Sequence, residues 1–208
     1  MTNDSRTLWV ACVLVARLFS STAATAGPAN RAPVRVRIYD YAPVPTDVLA
    51  RAQDEVRRVY AGIGVQTTWI KTRHLSDSFK GARPNLQGNQ ADLIVIVLNG
   101  TMTTRMAPPE NVIGMAANTP AGHGHIAYVF YDRLEIHSPQ SYASSVFALA
   151  FVMAHEMGHL LLPYGSHSDA GVMRGRLNRD AFSRLDIRQL EFTPVQGRQI
   201  RESLEFGR

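Results

Sequence analysis

The chain has 208 residues, 45% of them apolar and 19% charged, with no low-complexity tract and no internal repeat. That length supports one domain with its own core, and the composition excludes disordered and fibrous classes. A formal charge of +5 comes from 20 arginines and two lysines scattered along the chain; without a basic block, a solvated basic surface is predicted and no nucleic-acid partner.

Residues 1–26 have the pattern of an export signal. Arg6 gives the charged end, residues 7–16 a short apolar stretch, and Ala24-Thr25-Ala26 a small-residue cleavage site before Gly27. The apolar run is half the roughly 20 residues that a spanning helix needs, and Arg17 interrupts it, so no stable membrane anchor is predicted. The expected mature chain is a single catalytic domain, residues 27–208, secreted or periplasmic. Its oligomeric state is open. Cys12 is the only cysteine. A mature chain therefore has no disulfide and no thiol to block a metal, and any metal site must be built from His, Asp and Glu. Residues 27–33 are too short to resemble an inhibitory pro-segment.

Residues 34–41 (VRVRIYDY) alternate apolar and polar side chains, the period of a half-buried strand. Pro45-Thr46-Asp47 opens a helix to about Tyr60, with Val48, Ala52, Val56 and Val59 on one face and Gly62 near its end. Residues 65–71 (VQTTWIK) predict a second strand, and residues 72–90 a long loop. The continuous apolar run over residues 91–99 (ADLIVIVLN) is an interior strand. Two more strands are expected at residues 112–117 (VIGMAA) and 126–131 (IAYVFY). Ser138-Pro139 suits a helix start. From Tyr142 to Leu162 the chain is apolar nearly all round, as a buried central helix is. An irregular stretch follows Pro163, and Thr193-Pro194 caps a last helix toward Leu204. The order implies an α/β (α+β) domain, a mixed sheet with helices packed on it.

His155-Glu156-Met157-Gly158-His159 is H-E-x-x-H, late in the buried helix. At 3.6 residues per turn the two imidazoles share a face and can share a metal, with Glu156 one step round. Three titratable side chains in an apolar helix are costly without a partner, and a metal is the simplest one. Zinc with neutral His ligands leaves a place for water, from which Glu156 can take a proton as a peptide carbonyl is attacked. The third ligand is His167 or, two residues on, Asp169. Asp169 is alternatively a group that orients a ligand histidine. His123 and His125 flank a glycine before a strand, and His74 and His137 stand alone; surface or strand-end places suit all four. Tyr128, Tyr131 and Tyr164 are candidates to stabilise an oxyanion. Core packing suits the first two, and Tyr164, just past the helix, is the best placed.

His155-Glu156-x-x-His159, a turn, His167 and then Gly171-Val172-Met173 resemble the zinc site of the metzincin metallopeptidases. Upstream, VIGMAA and HIAYVFYDRL are similar to the edge strand and following strand that precede the active-site helix in that clan. The similarity spans residues 34–205 in architecture and 112–173 in detail. It implies an antiparallel edge strand, one catalytic zinc ion, peptide or protein substrates cleaved as by an endopeptidase, and Met173 as the methionine-turn residue. The chain departs from H-E-x-x-H-x-x-G-x-x-H: Leu162 takes the glycine place and Gly165 the place of the third histidine, so His167 needs a turn two residues longer. The rival reading is a secreted zinc-binding, protease-like protein without proteolytic activity, against which the intact Glu156 argues.

Overall fold

In the computed structural model, which describes residues 34–71, 92–117, 124–137, 141–163, 165–175 and 190–205, the first alternating segment forms β1 (Val34–Asp40). Val34, Val36 and Ile38 are buried on one of its faces, while Arg35 and Arg37 take the other. β2 (Thr67–Lys71) and β3 (Asp92–Leu98) flank it in parallel. All seven residues of β3 are buried, as its unbroken apolar run predicts for a strand covered on both sides. β5 (Ile126–Phe130) pairs parallel with β3, and β4 (Gly114–Ala117) antiparallel with β5. The sheet order is β2-β1-β3-β5-β4. The domain is thus α+β with a mixed sheet and an antiparallel strand at its edge.

Helix α1 (Thr46–Gly62) buries Val48, Ala52, Val56 and Val59, the predicted stripe, together with Leu49 and Tyr60. It packs with the long helix α4 (Tyr142–Leu161) on the sheet face made by Val36, Ile38, Val95, Val97 and Val129. α4 is long and apolar enough to cross a membrane by composition, but most of it is buried inside the domain, as a central core helix is. Its cap is Ser141, whose Oγ accepts from Ser144 N at 3.2 Å; this lies beyond the predicted Ser138-Pro139 start, and residues 138–140 are outside the described set.

Two short helices correct the sequence reading. Asn99, expected at the end of a strand, instead caps α2 (Gly100–Met106) by accepting from Met102 N at 3.0 Å. Tyr131, expected in a strand, begins α3 (Tyr131–His137). Seven residues give too few turns for an apolar stripe to show. From α3, Arg133 donates to the carbonyls of Pro108, Pro109 and Val112, fastening the segment that leads into β4.

The last helix, α5 (Pro194–Glu205), starts at a reciprocal cap: Gln196 N donates to Thr193 Oγ1 at 3.3 Å and Thr193 N to Gln196 Oε1 at 3.0 Å.

Candidate metal centre

The last turns of α4 and the chain after it bring three imidazoles together. His159 Nε2 lies 3.0 Å from His155 Nε2 and 3.0 Å from His167 Nε2. The two histidines of the helix are one turn apart, as their spacing requires. Pro163 and Gly165, the latter at φ +80°, reverse the chain so that His167 faces them. Its ring lies against Gly175, where a Cβ would stand 2.9 Å from the imidazole. Asp169 is exposed and lies outside this cluster; its backbone carbonyl accepts from Arg174 Nε at 3.1 Å.

Both helix rings are held inward, while His167 closes the cluster from the exposed side. His155 stacks on Phe151, and its Nδ1–H donates to Val172 O at 2.7 Å, which leaves a bare lone pair on Nε2. Burial lowers the His155 pKa to about 4, against the pull of that hydrogen bond. Burial, then the neighbouring rings, lowers His159 to about 3. Both are therefore neutral near pH 7. One Nε2 proton on His159 can serve only one of its two 3.0 Å neighbours, so as hydrogen bonds the contacts are under-satisfied. A shared Lewis acid satisfies all three nitrogens at once; the two 3.0 Å spacings approach the ~3.3 Å edge of a tetrahedron with zinc–nitrogen bonds of about 2.0–2.1 Å, and all three nitrogens lie within 4.8 Å of one another. The donor set fits zinc.

Glu156 lies beside these rings, 7% exposed, with a backbone hydrogen bond from Ala116 of β4. Burial pushes its pKa up to about 8, only partly offset by that bond. Gly114 makes room for it: a Cβ there would fall 2.6 Å from Val152 Cγ1 and 2.7 Å from Glu156 Oε1.

Met173 is completely buried in a turn in which Arg174 N bonds back to Gly171 O, while Ser168 N donates to Met173 O at 2.9 Å. Its Sδ lies so close to Gly158, between the two helix histidines, that a side chain at 158 would collide with it. The buried Gln196 holds the loop from the other side, its Nε2 donating to Ser166 O and Ser168 Oγ at 3.2 Å each.

Imidazoles and carboxyl open onto a cleft of about 470 Å³ whose opposite wall is the chain from Asn111 to Ala116, which includes most of β4. Tyr131 is buried against the core, and Tyr128 packs on the other sheet face; neither lines the cleft. His125 bonds Asp92 O at the start of β5, away from the cluster, and His137 ends α3. His74, His123 and Tyr164 lie outside the described residues. Sequence reasoning missed the steric part of Gly114, the Val172 carbonyl and Gln196. Only Gln196 left a signal, as the fourth residue of T-P-V-Q.

No family model and no curated protein matches the chain. Among solved structures, the chain is similar to a zinc-dependent peptidase from Methanocorpusculum labreanum (TM-score 0.53, 16% identity, covering 79% of this chain and 99% of the other). It is also similar to archaemetzincin from Methanopyrus kandleri (TM-score 0.56, 14% identity, covering 88% and 99%). At these identities the likeness is one of fold: the chain shares the fold of these two structures, and has three histidines within it that can hold a metal.

Proposed function

We propose that the chain is an exported zinc-dependent endopeptidase in which His155, His159 and His167 hold one zinc ion and Glu156 is the general base. The observation that carries this is the convergence of three imidazole Nε2 atoms beside a buried carboxyl, in a cleft walled by an edge strand. Bound zinc supplies Lewis acidity, polarising a carbonyl and bringing the pKa of water near 7.

The protein groups divide the remaining work. Val172 O fixes the His155 tautomer so that Nε2 is free to ligate. Glu156, as carboxylate beside a cation, takes a proton from the attacking water and delivers it to the leaving amine. The Ala116 N–H and the space at Gly114 hold that carboxyl in place. β4 pairs only with β5 among the described strands, so its outer edge, apart from the Ala116 N–H that Glu156 takes, can bind an extended peptide by main-chain hydrogen bonds. Such binding suits unfolded segments of many sequences. Met173 under Gly158 supports the turn that carries both helix ligands, which is the methionine-turn role in this reading.

The test is metal content of the purified mature protein together with hydrolysis of an unfolded casein-like substrate, with and without chelator. Glu156→Gln should retain zinc and lose most hydrolysis, because an amide cannot accept the proton. A zinc-free wild type, or full activity in the Gln variant, contradicts the proposal.

A further inference from the structure

One charged side chain of the cleft has no part in the scheme above. Arg174 lines the cleft beside His167 and Gly175 and is half-buried. The turn that carries Met173 sets its backbone, which forms an isolated bridge with Ser168. Its Nε donates to Asp169 O at 3.1 Å, anchoring the root of the guanidinium. Among the described residues no carboxylate forms an ion pair with it. Apart from Glu156, the other groups lining the cleft carry no fixed charge, and the walls include Val112, Ile113, Met115 and Phe151.

Guanidinium keeps its charge at every working pH, and its outer nitrogens form a planar fork that matches a carboxylate. A half-buried cation facing an apolar-walled cleft, with no carboxylate paired to it among the described residues, favours an anion there. The anions a peptide carries are carboxylates, either on an Asp or Glu side chain or at its C-terminus. We infer that Arg174 is a specificity-determining residue that binds a substrate carboxylate next to the bond to be cleaved, so that the cleft selects acidic peptides. This rests on the peptidase reading above.

The test uses the zinc-loaded full chain and two matched peptide pairs, one with Glu or Gln beside the cleaved bond, the other with a free or amidated C-terminus. The carboxylate member of one pair should be preferred about ten- to a hundredfold in kcat/KM, and that pair identifies the source of the anion. Arg174→Gln should bring the ratio close to one, and Arg174→Lys, which keeps charge but loses the fork, should retain part of it. Fluorescence anisotropy of the same peptides on Glu156→Gln reads the preference without turnover. A wild-type ratio near one in both pairs, or a ratio unchanged in Arg174→Gln, overturns the inference. If no peptide is cleaved but Arg174-dependent binding of the carboxylate member persists, the peptidase reading fails and, of this inference, the carboxylate site stands while its role in cleavage specificity falls. If that binding is absent too, both fail.

Discussion

Gly114→Ala tests how the edge strand and the carboxyl fit together. In a strand whose backbone tolerates it, replacing glycine stabilises by about 0.4–1 kcal/mol, by restricting the unfolded chain. At 114 the added methyl meets Val152 Cγ1 at 2.6 Å, Glu156 Oε1 at 2.7 Å and Glu156 Cγ at 2.8 Å. Ordinary carbon contacts are about 3.5–4.0 Å, so roughly 1 Å must be found. Val152 is 1% exposed and has nowhere to go, while Glu156, 7% exposed, can yield only toward the cleft, away from its bond to Ala116. Overpacking of this kind costs about 1–3 kcal/mol, which exceeds the backbone gain, and the net loss should be on the order of 1–2 kcal/mol. Displacing Glu156 by a similar distance should lower kcat/KM by about a hundredfold with zinc retained. Urea denaturation, zinc stoichiometry and peptide hydrolysis measure the three effects. Val152→Ala removes one colliding group, so the double variant should be more stable than the sum of the single changes predicts. If Gly114→Ala is stabilised and hydrolyses at the wild-type rate, Gly114 is not there to make room for Glu156.

Other outcomes follow from the same geometry. His155→Ala and His159→Ala should lose zinc, His167→Ala should hold it weakly, and Asp169→Ala should keep a well-occupied site, as read by stoichiometry under a competing chelator; zinc kept by His167→Ala and lost by Asp169→Ala would reverse the third ligand. Gly158→Ala should destabilise despite better helix propensity, and should cost much less in a Met173→Ala background, where the collision with Sδ is gone and only the 3.2 Å approach of Phe192 Cε1 remains; denaturant midpoints of the four proteins decide it. In metal-free protein the Glu156 pKa of about 8 lies above its ordinary 4.5, so burial favours the acid and stability falls as pH rises through that window. Between pH 6.5 and 8 Glu156 should contribute a loss of about 1.5 kcal/mol, absent in Glu156→Gln; His155 and His159, whose pKa values are lowered, oppose it by roughly 0.4 kcal/mol each as the unfolded imidazoles shed their last protons, so the net loss should be on the order of 1 kcal/mol. N-terminal sequencing of exported protein should begin at Gly27, and a cytosolic form retaining Met1 would contradict export.

The sheet was legible because its strands obey simple periods: alternation in β1 and an unbroken apolar run in β3. α1 and α4 were legible because each exceeds four turns, long enough for a buried stripe or a fully apolar cylinder to show. α2 and α3 were not, since Asn99 serves equally as a strand end and a helix cap, and Tyr131 suits either state. In the site, helical spacing alone juxtaposes His155, Glu156 and His159. Whether His167 or Asp169 completes the cluster depends on a turn set by Gly165, Gly171 and Gly175, whose conformations no side-chain pattern announces. Gly114 is similar: its lack of a side chain has meaning only once β4 is laid against α4.

The hold of Gln196 on Ser166 and Ser168 also bears on the timing of assembly. A ribosome releases the α4 segment, with His155 and His159, well before residue 196 has left the exit tunnel. Until α5 has formed and its first turn has closed on the loop, the stretch bearing His167 lacks its two side-chain ties to the last helix. A nascent chain therefore presents two fixed imidazoles and a third still free to wander, which is a weak zinc site. Assembly of the candidate metal centre is thereby tied to synthesis of α5, and a chain trimmed by proteolysis before α5 should bind zinc weakly in the same way.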